Sequence, residues 1–345
     1  MTKLIFSEDE LLQSDDYAAP QIEAGHHLHG GFDEDGNYQC PRMKFRTPAF
    51  EAWTRKLKED GGEIMAADSS LLAGIRFPSQ AQSKLMLMEG LGQSFWNGLT
   101  ITGRIEARGR VLAEMTFPDF RDVVVEDISE MALGHLGKGL LKAHGLDEGG
   151  EPEKGIGGHD TMWFALRDLA CGDTDYPEPV IPDNIGRPEQ DQKAKPPISA
   201  PHASTIYFLL NLLLIEFRAE RGFAATEQTL RDPELFTDRR DEAERAAKIV
   251  DRIRLDEEVH VHSLRLYLGE IRNLTFKTTD GGTLSGKDIV DPFWAEISRW
   301  ATDEQPKLAA EQQRKIYESR ILAHPDGERI LRDFNALEET EYDGN

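Results

Sequence analysis

The sequence predicts an all-α protein, a four-helix core between N- and C-terminal extensions, and three observations carry that expectation. A 3.6-residue period runs from about Asp241 to Leu274 and puts Ile249, Ile253, Glu257, His260, Leu264, Tyr267 and Ile271 on one stripe. The most apolar run of the chain, Ile206 to Phe217, reads as a buried helix. Between this pair and the helical patterns upstream lies a proline-rich stretch, residues 172–203, which cannot continue a helix and suits a crossover strapped over one side of a bundle.

Composition narrows the functional classes. At 345 residues the chain can bury a substantial core without disulfides or metal. A formal charge of -23 repels phosphate backbones and anionic membranes, so neither nucleic acid nor a membrane is an expected partner. Cys40 and Cys171 fit no metal-ligand spacing and no disulfide framework, which points to a reducing compartment. The stretch Met1 to Asp16 carries acids where a signal peptide needs basic and then apolar residues, and the expected location is cytoplasmic. The run Ile206 to Phe217 contains Asn211 and Glu216 and is too short and too polar to span a bilayer.

Residues 1–80 read as an irregular extension with turn clusters at Gly30-Gly31 and Asp33 to Asn37 and one short helix near Pro48 to Glu59. His26, His27 and His29 stand beside two glycines at a spacing that forms no ready metal site, so a surface or packing loop is expected there. The acids of Asp33 to Asn37 suggest a calcium loop, but the glycine comes fourth rather than sixth, and a turn is expected. The core spans residues 81–275. Ala81 to Met115 reads as one long or two broken helices, Phe120 to Ala143 as another ended by His144-Gly145, and His159 to Ala170 as a shorter one. Ser204 to Phe223 and Asp241 to Leu274 form the second pair. Residues 276–345 should give a turn or hairpin around Asp280-Gly281-Gly282, helices near Pro292 to Thr302 and Lys307 to Leu322, and an acidic tail. Gly281-x-x-x-x-Gly286-Lys287 has the outline of a phosphate loop, but Asp288 follows where a Ser or Thr is needed.

The chemistry-bearing feature is the interruption of an apolar stripe by Glu257 and His260. Isolated buried charge is costly unless paired or bound to a metal. A dinuclear iron or manganese site needs about four carboxylates and two imidazoles, usually one Glu and one Glu-x-x-His from each helical pair. The second pair offers Glu216, on a helix apolar nearly all round, with Glu257 and His260; Glu220 is the rival to Glu216. Asp256 can accept the outer N–H of a ligating histidine. Glu258 and His262 share a stripe with Arg254 and Arg265 and read as a charged surface.

In the first pair, Glu106 is the lone glutamate, and Glu130 with His135 is the second-helix set. These two are five residues apart, a spacing that requires a π-bulge near Gly134. Alternatively His159 is the histidine, with Glu126 or Glu130 upstream and Ile156 in the usual glutamate position. Glu106-x-x-Gly109 and Glu216-x-x-Ala219 form a weak two-fold echo, each with a small residue one turn after the glutamate.

Asp256-Glu257-x-x-His260, with Glu216 upstream, resembles the ferritin-like di-iron carboxylate superfamily, which includes rubrerythrins, ribonucleotide reductase small subunits, fatty acyl desaturases and bacterial hydroxylases. The resemblance covers roughly residues 80–275. It implies a four-helix core holding two Fe ions, with Mn as the alternative metal. It also implies an oxidoreductase, an oxygenase that uses O2 and an external electron donor on a small or medium organic substrate. The long separation of Glu216 and Glu257 suits an inserted loop at Ala224 to Asp238. Extensions on both sides suit a roofed substrate pocket or an oligomer interface, as in a homodimer, better than iron storage. From a different class, a non-catalytic helical binding or scaffold protein would use Glu257 and His260 as a buried hydrogen-bonded network. A mononuclear or manganese-containing oxidase is a third reading.

Overall fold

The computed structural model describes residues 2–14, 16–73 and 77–342. In chain order the elements are α1 (Glu8–Leu11), β1 (Ala19–Glu23), β2 (His26–Phe32), β3 (Tyr38–Gln39), α2 (Met43–Glu59), α3 (Gln80–Met88), α4 (Gln93–Gly109) and α5 (Leu141–Gly149). They continue as α6 (His159–Cys171), α7 (Ala200–Arg231), α8 (Arg240–Asn273), β4 (Thr275–Lys277), β5 (Thr283–Ser285), α9 (Gly286–Arg299), α10 (Gln305–Leu322) and α11 (Gly327–Tyr342). The protein is mostly helical, with one three-stranded and one two-stranded antiparallel sheet among the described residues.

The two longest helices, α7 and α8, lie along each other, while α6 packs on both α4 and α8. On α8 all seven residues of the stripe from Ile249 to Ile271 are buried. By length and composition α7 could cross a bilayer, its best 18-residue window having a mean hydropathy of 1.3, but 61% of that window is buried inside the protein. Its apolar residues are core: Ile206, Leu209, Leu210, Leu213, Leu214 and Phe217 are each fully buried. A second apolar cluster joins Trp163 and Leu166 of α6 to Ile249 and Ile253 of α8, and a third seats α11 on α3 through Phe334 and Met86.

Several expectations differ from the structure. The N-terminal segment is more ordered than its turn-rich sequence suggests, because β2 pairs with both β1 and β3. The helix expected over Phe120 to Ala143 is absent until its end. Val125 N–H donates to Thr275 O, Ser129 N–H to Asp127 Oδ1, and the N–H groups of Ala132 and Leu133 to the two oxygens of Glu270. Tertiary partners, and locally the Asp127 side chain, thus take donors that a helix would use. Helix α5 then runs through His144-Gly145, where a stop was expected. A Cβ on Gly145 would lie 2.4 Å from Ala113 N, so this glycine permits close packing rather than ending the helix. The loop expected at Ala224 to Asp238 is largely helix, since α7 extends to Arg231. The tail expected beyond Leu322 forms α11, with residues 343–345 outside the described residues.

Glu270 is 1% exposed, and burial pushes its carboxyl up to about 8 against the lowering effect of its two backbone donors. A raised folded-state value stabilises fully below the unfolded value and is lost as pH rises through the folded one. Glu270→Ala should cost about 2–4 kcal/mol in urea unfolding near pH 5. The advantage of the wild type over this variant should shrink between about pH 5 and about pH 9.

Candidate metal centre

Five helices deliver seven ligand-type side chains to one buried cluster. Glu106 comes from α4, His144 and Glu148 from α5, His159 from the first turn of α6, Glu216 from α7, and Glu257 and His260 from α8. None is more than 8% exposed. Atoms of His144, Glu148, Glu216 and His260 lie within 4.8 Å of one another, as do those of Glu148, His159, Glu257 and His260. Glu148 and His260 belong to both groups.

The two glutamates at the middle face both sides. Glu148 directs Oε2 to within 3.6 Å of His159 Nδ1, and Oε1 to within 3.2 Å of His260 Nδ1 and 3.4 Å of His144 Nε2. Glu257 places Oε1 3.2 Å from His159 Nδ1 and Oε2 2.9 Å from His260 Nδ1. The other two glutamates lie at the flanks, Glu106 Oε2 at 3.7 Å from His159 Nδ1 and Glu216 Oε1 at 3.1 Å from His144 Nε2. His144 and His260 stack with centroids 3.8 Å apart. A Cβ on Gly109 would sit 2.5 Å from Glu148 Cγ, so the small residue one turn after Glu106 makes room for a neighbouring carboxylate.

Two of the three imidazoles, His159 and His260, are each held from behind by an aspartate. His159 Nε2 lies 3.3 Å from Asp256 Oδ2, which also lies 3.0 Å from His29 Nε2 and accepts from Tyr38 Oη at 2.9 Å. His260 Nε2 lies 3.2 Å from Asp147 Oδ2. Asp147 accepts from Arg42 Nε at 3.1 Å and from Arg46 Nη2 at 3.0 Å. The bracing is crossed: the aspartate beside Glu257 holds the histidine of α6, and the aspartate beside Glu148 holds the histidine of α8.

Burial governs the electrostatics. It pushes the carboxyls of Glu106 and Glu216 well above the usual carboxylate range, with Glu148 and Glu257 as the respective like-charge neighbours. Burial opposes ionisation of Glu148 as well, but its contacts with His144 and His159 win and hold it well below that range. Burial likewise opposes charge on His159 and His260, yet Glu257 and the adjoining carboxylates raise both well above the ordinary imidazole value. Burial and stacked His260 lower His144, which favours the neutral, ligating form. Buried atoms without a hydrogen-bond partner include both ring nitrogens of His144, His159 Nδ1 and Glu257 Oε1. Orphaned donors and acceptors concentrated at one point fit a missing cation better than a finished hydrogen-bond network.

Of the residues singled out from sequence, Glu106, His159, Glu216, Glu257 and His260 come together, with Asp256 behind them. Glu130 and His135 do not. Glu130 is exposed on an irregular segment, and His135 packs on Trp53, 4.8 Å between centroids, with Phe6 N–H donating to its Nε2 and Met131 O bonded to its Nδ1. Glu126 is exposed and caps Thr275 N–H. Glu220 is half-buried outside the cluster, and Glu258 is exposed. His29 is a correction to the loop reading, since it is 4% exposed and bonded to Asp256, whereas His26 and His27 are exposed. The residues missed are His144, Glu148, Asp147, Arg42 and Arg46. One signal was present: Asp147-Glu148 repeats the Asp256-Glu257 pair.

A cavity of about 540 Å³ reaches the cluster at Glu106, His144, Glu148 and Glu216. Its outer wall is the proline-rich crossover, residues 183–190, tied down by Arg187 and Arg218. Arg187 Nη1 donates to Tyr207 Oη at 2.7 Å and Glu296 Oε2 at 3.0 Å, and Arg218 Nη1 donates to Ile185 O at 2.7 Å.

Arg42→Leu leaves the buried Asp147 with one guanidinium and should cost about 3–5 kcal/mol in equilibrium unfolding; a loss under about 1 kcal/mol would show that the pair is not coupled to the fold. No protein-family model matches this chain, and searches of curated proteins and of solved structures found no match.

Proposed function

We propose that the cluster is a dinuclear metal centre in a ferritin-like arrangement of α4, α5 with α6, α7 and α8, and that the protein is a di-iron oxidoreductase, an oxygenase acting on an organic substrate. The observation that carries this reading is charge. Glu106, Glu148, Glu216 and Glu257 bring four carboxyl groups to one buried point, and two divalent cations would neutralise them when ionised. Outside them, Arg42 and Arg46 both pair with Asp147 while Asp256 lies against His29 and His159, so with two such ions the two arginines balance the two aspartates and the assembly as a whole is neutral.

Glu106 and His159 flank one side; His144, His260 and Glu216 flank the other; Glu148 and Glu257 supply one oxygen to each. Redox-active ions bound by these residues would supply electrons and Lewis acidity for O2 chemistry. The chain's own groups do the rest. Asp256 and Asp147 fix the orientation of His159 and His260. The crossover forms one wall of the cavity, and the cavity leads a substrate to the Glu106, His144 and Glu216 edge. The net reaction, R–H + O2 + two electrons + two protons giving R–OH + H2O, needs an external reductant. The cavity favours catalysis over iron storage, which has no use for a roofed organic-sized space.

Metal analysis of protein loaded anaerobically with Fe(II) should find about two ions per chain. Glu257→Ala should lose most of this iron, whereas Glu258→Ala, on the exposed side of the same turn, should keep it. No iron uptake by the wild type, or equal losses in both variants, would overturn the assignment; one ion per chain would mark a mononuclear centre instead.

A further inference from the structure

The chemistry of the cavity walls limits what can occupy it. One side is apolar, formed by Ile105, Val111, Leu112, Phe208, Leu212 and Ile215. Several of the polar groups in the lining, its buried cation among them, are already committed to the protein. Asn211 Oδ1 accepts from Arg187 N–H at 2.7 Å, and Asn211 Nδ2 donates to Tyr207 O at 3.2 Å. Tyr207 Oη accepts from Arg187, and Ser204 Oγ donates to Glu189 Oε1. Arg187, the buried cation of the wall, is paired with Glu296 and also donates to Asp191 O. Arg108 is exposed and donates to Pro182 O, and the same lining carries Asp183 and Glu189.

At the inner end stand three carboxyl groups, Glu106, Glu148 and Glu216. A carboxylate or phosphate entering here would lose its hydration, find no uncommitted buried cation, and approach like charge. A cationic head would face Glu106 and Glu216, whose charge the ions of the proposed centre would already balance, and would gain no uncompensated partner. A neutral apolar body gains the burial free energy without these costs.

We infer that the substrate of this centre is a neutral, predominantly apolar molecule lacking carboxylate and phosphate groups, seated between α4 and α7 beneath the crossover. The inference rests on the metal-centre reading, because it assigns the cavity to that centre's substrate. Specificity then comes from shape and from exclusion of charge rather than from a recognising ion pair.

Calorimetric titration of the full chain, metal-free and iron-loaded, with octanol, octanoate and octylammonium, and with naphthalenemethanol and naphthoate, separates these chemistries. A neutral member should bind at one site per chain, with its charged counterparts weaker by more than about tenfold. Leu212→Trp and, independently, Ala219→Phe should fill the space and weaken neutral binding by more than about tenfold while leaving iron uptake unchanged. Octanoate, naphthoate or octylammonium binding as tightly as the alcohols, no neutral binding at all, or neutral binding unaltered in both filled variants would overturn the inference. Iron content measured on the same samples separates the two failures. A protein that loads iron but prefers the anions overturns the substrate class alone. One that binds the alcohols yet takes up no iron overturns the metal centre and with it the cavity's role.

Discussion

The structure depends on neutralising four glutamates that share one buried point with three histidines. Isolated carboxylates cannot stay ionised in such a place, so they must take up protons or cations. Among the described residues the response is visible at every level. Glu106 and Glu216 favour the protonated form, His159 and His260 the charged form, and each of these two histidines is backed by an aspartate with partners of its own. Two divalent cations would replace those protons with no change in net charge.

That requirement explains the N-terminal segment. His29 and Tyr38 hold Asp256 from the first sheet, while Arg42 and Arg46, around the start of α2, hold Asp147. The extension is thus part of the outer wall of the cluster. Its histidine spacing gave no sign of this, since one nitrogen of His29 acts on an aspartate more than 200 residues away. The crossover plays the corresponding part on the opposite, open side, where Arg187 and Arg218 fix it over the cavity.

How much was legible follows from how local each signal is. The stripe of α8 is set by a 3.6-residue period, so Glu257 and His260 stood out as polar interruptions of an apolar face. Glu216 stood out for the same reason on α7, and the helical class followed from both. The first half of the site obeys no such period. Its second helix is broken into α5 and α6 by the glycine turn around Gly150 and Gly155, so Glu148 and His159 meet across that turn rather than one helical turn apart. With no such period, the sequence offers Glu130 and His135 at an irregular five-residue spacing beside the alternative His159, and hydrogen bonding places the first two in an irregular segment and the core. The repeated Asp-Glu pair was the better guide, because its two residues have separate tasks: the glutamate points into the cluster and the aspartate braces a histidine from the other half.

The central claim is that two cations occupy this cluster, one beside His159 and the other between His144 and His260. Anomalous diffraction at the iron edge, from crystals of anaerobically loaded protein, tests it most directly. Two peaks are expected, one near Glu106 and His159, the other near Glu216, His144 and His260, with Glu148 and Glu257 between them. An empty cluster, or iron held only at the exposed His26 and His27, would contradict it.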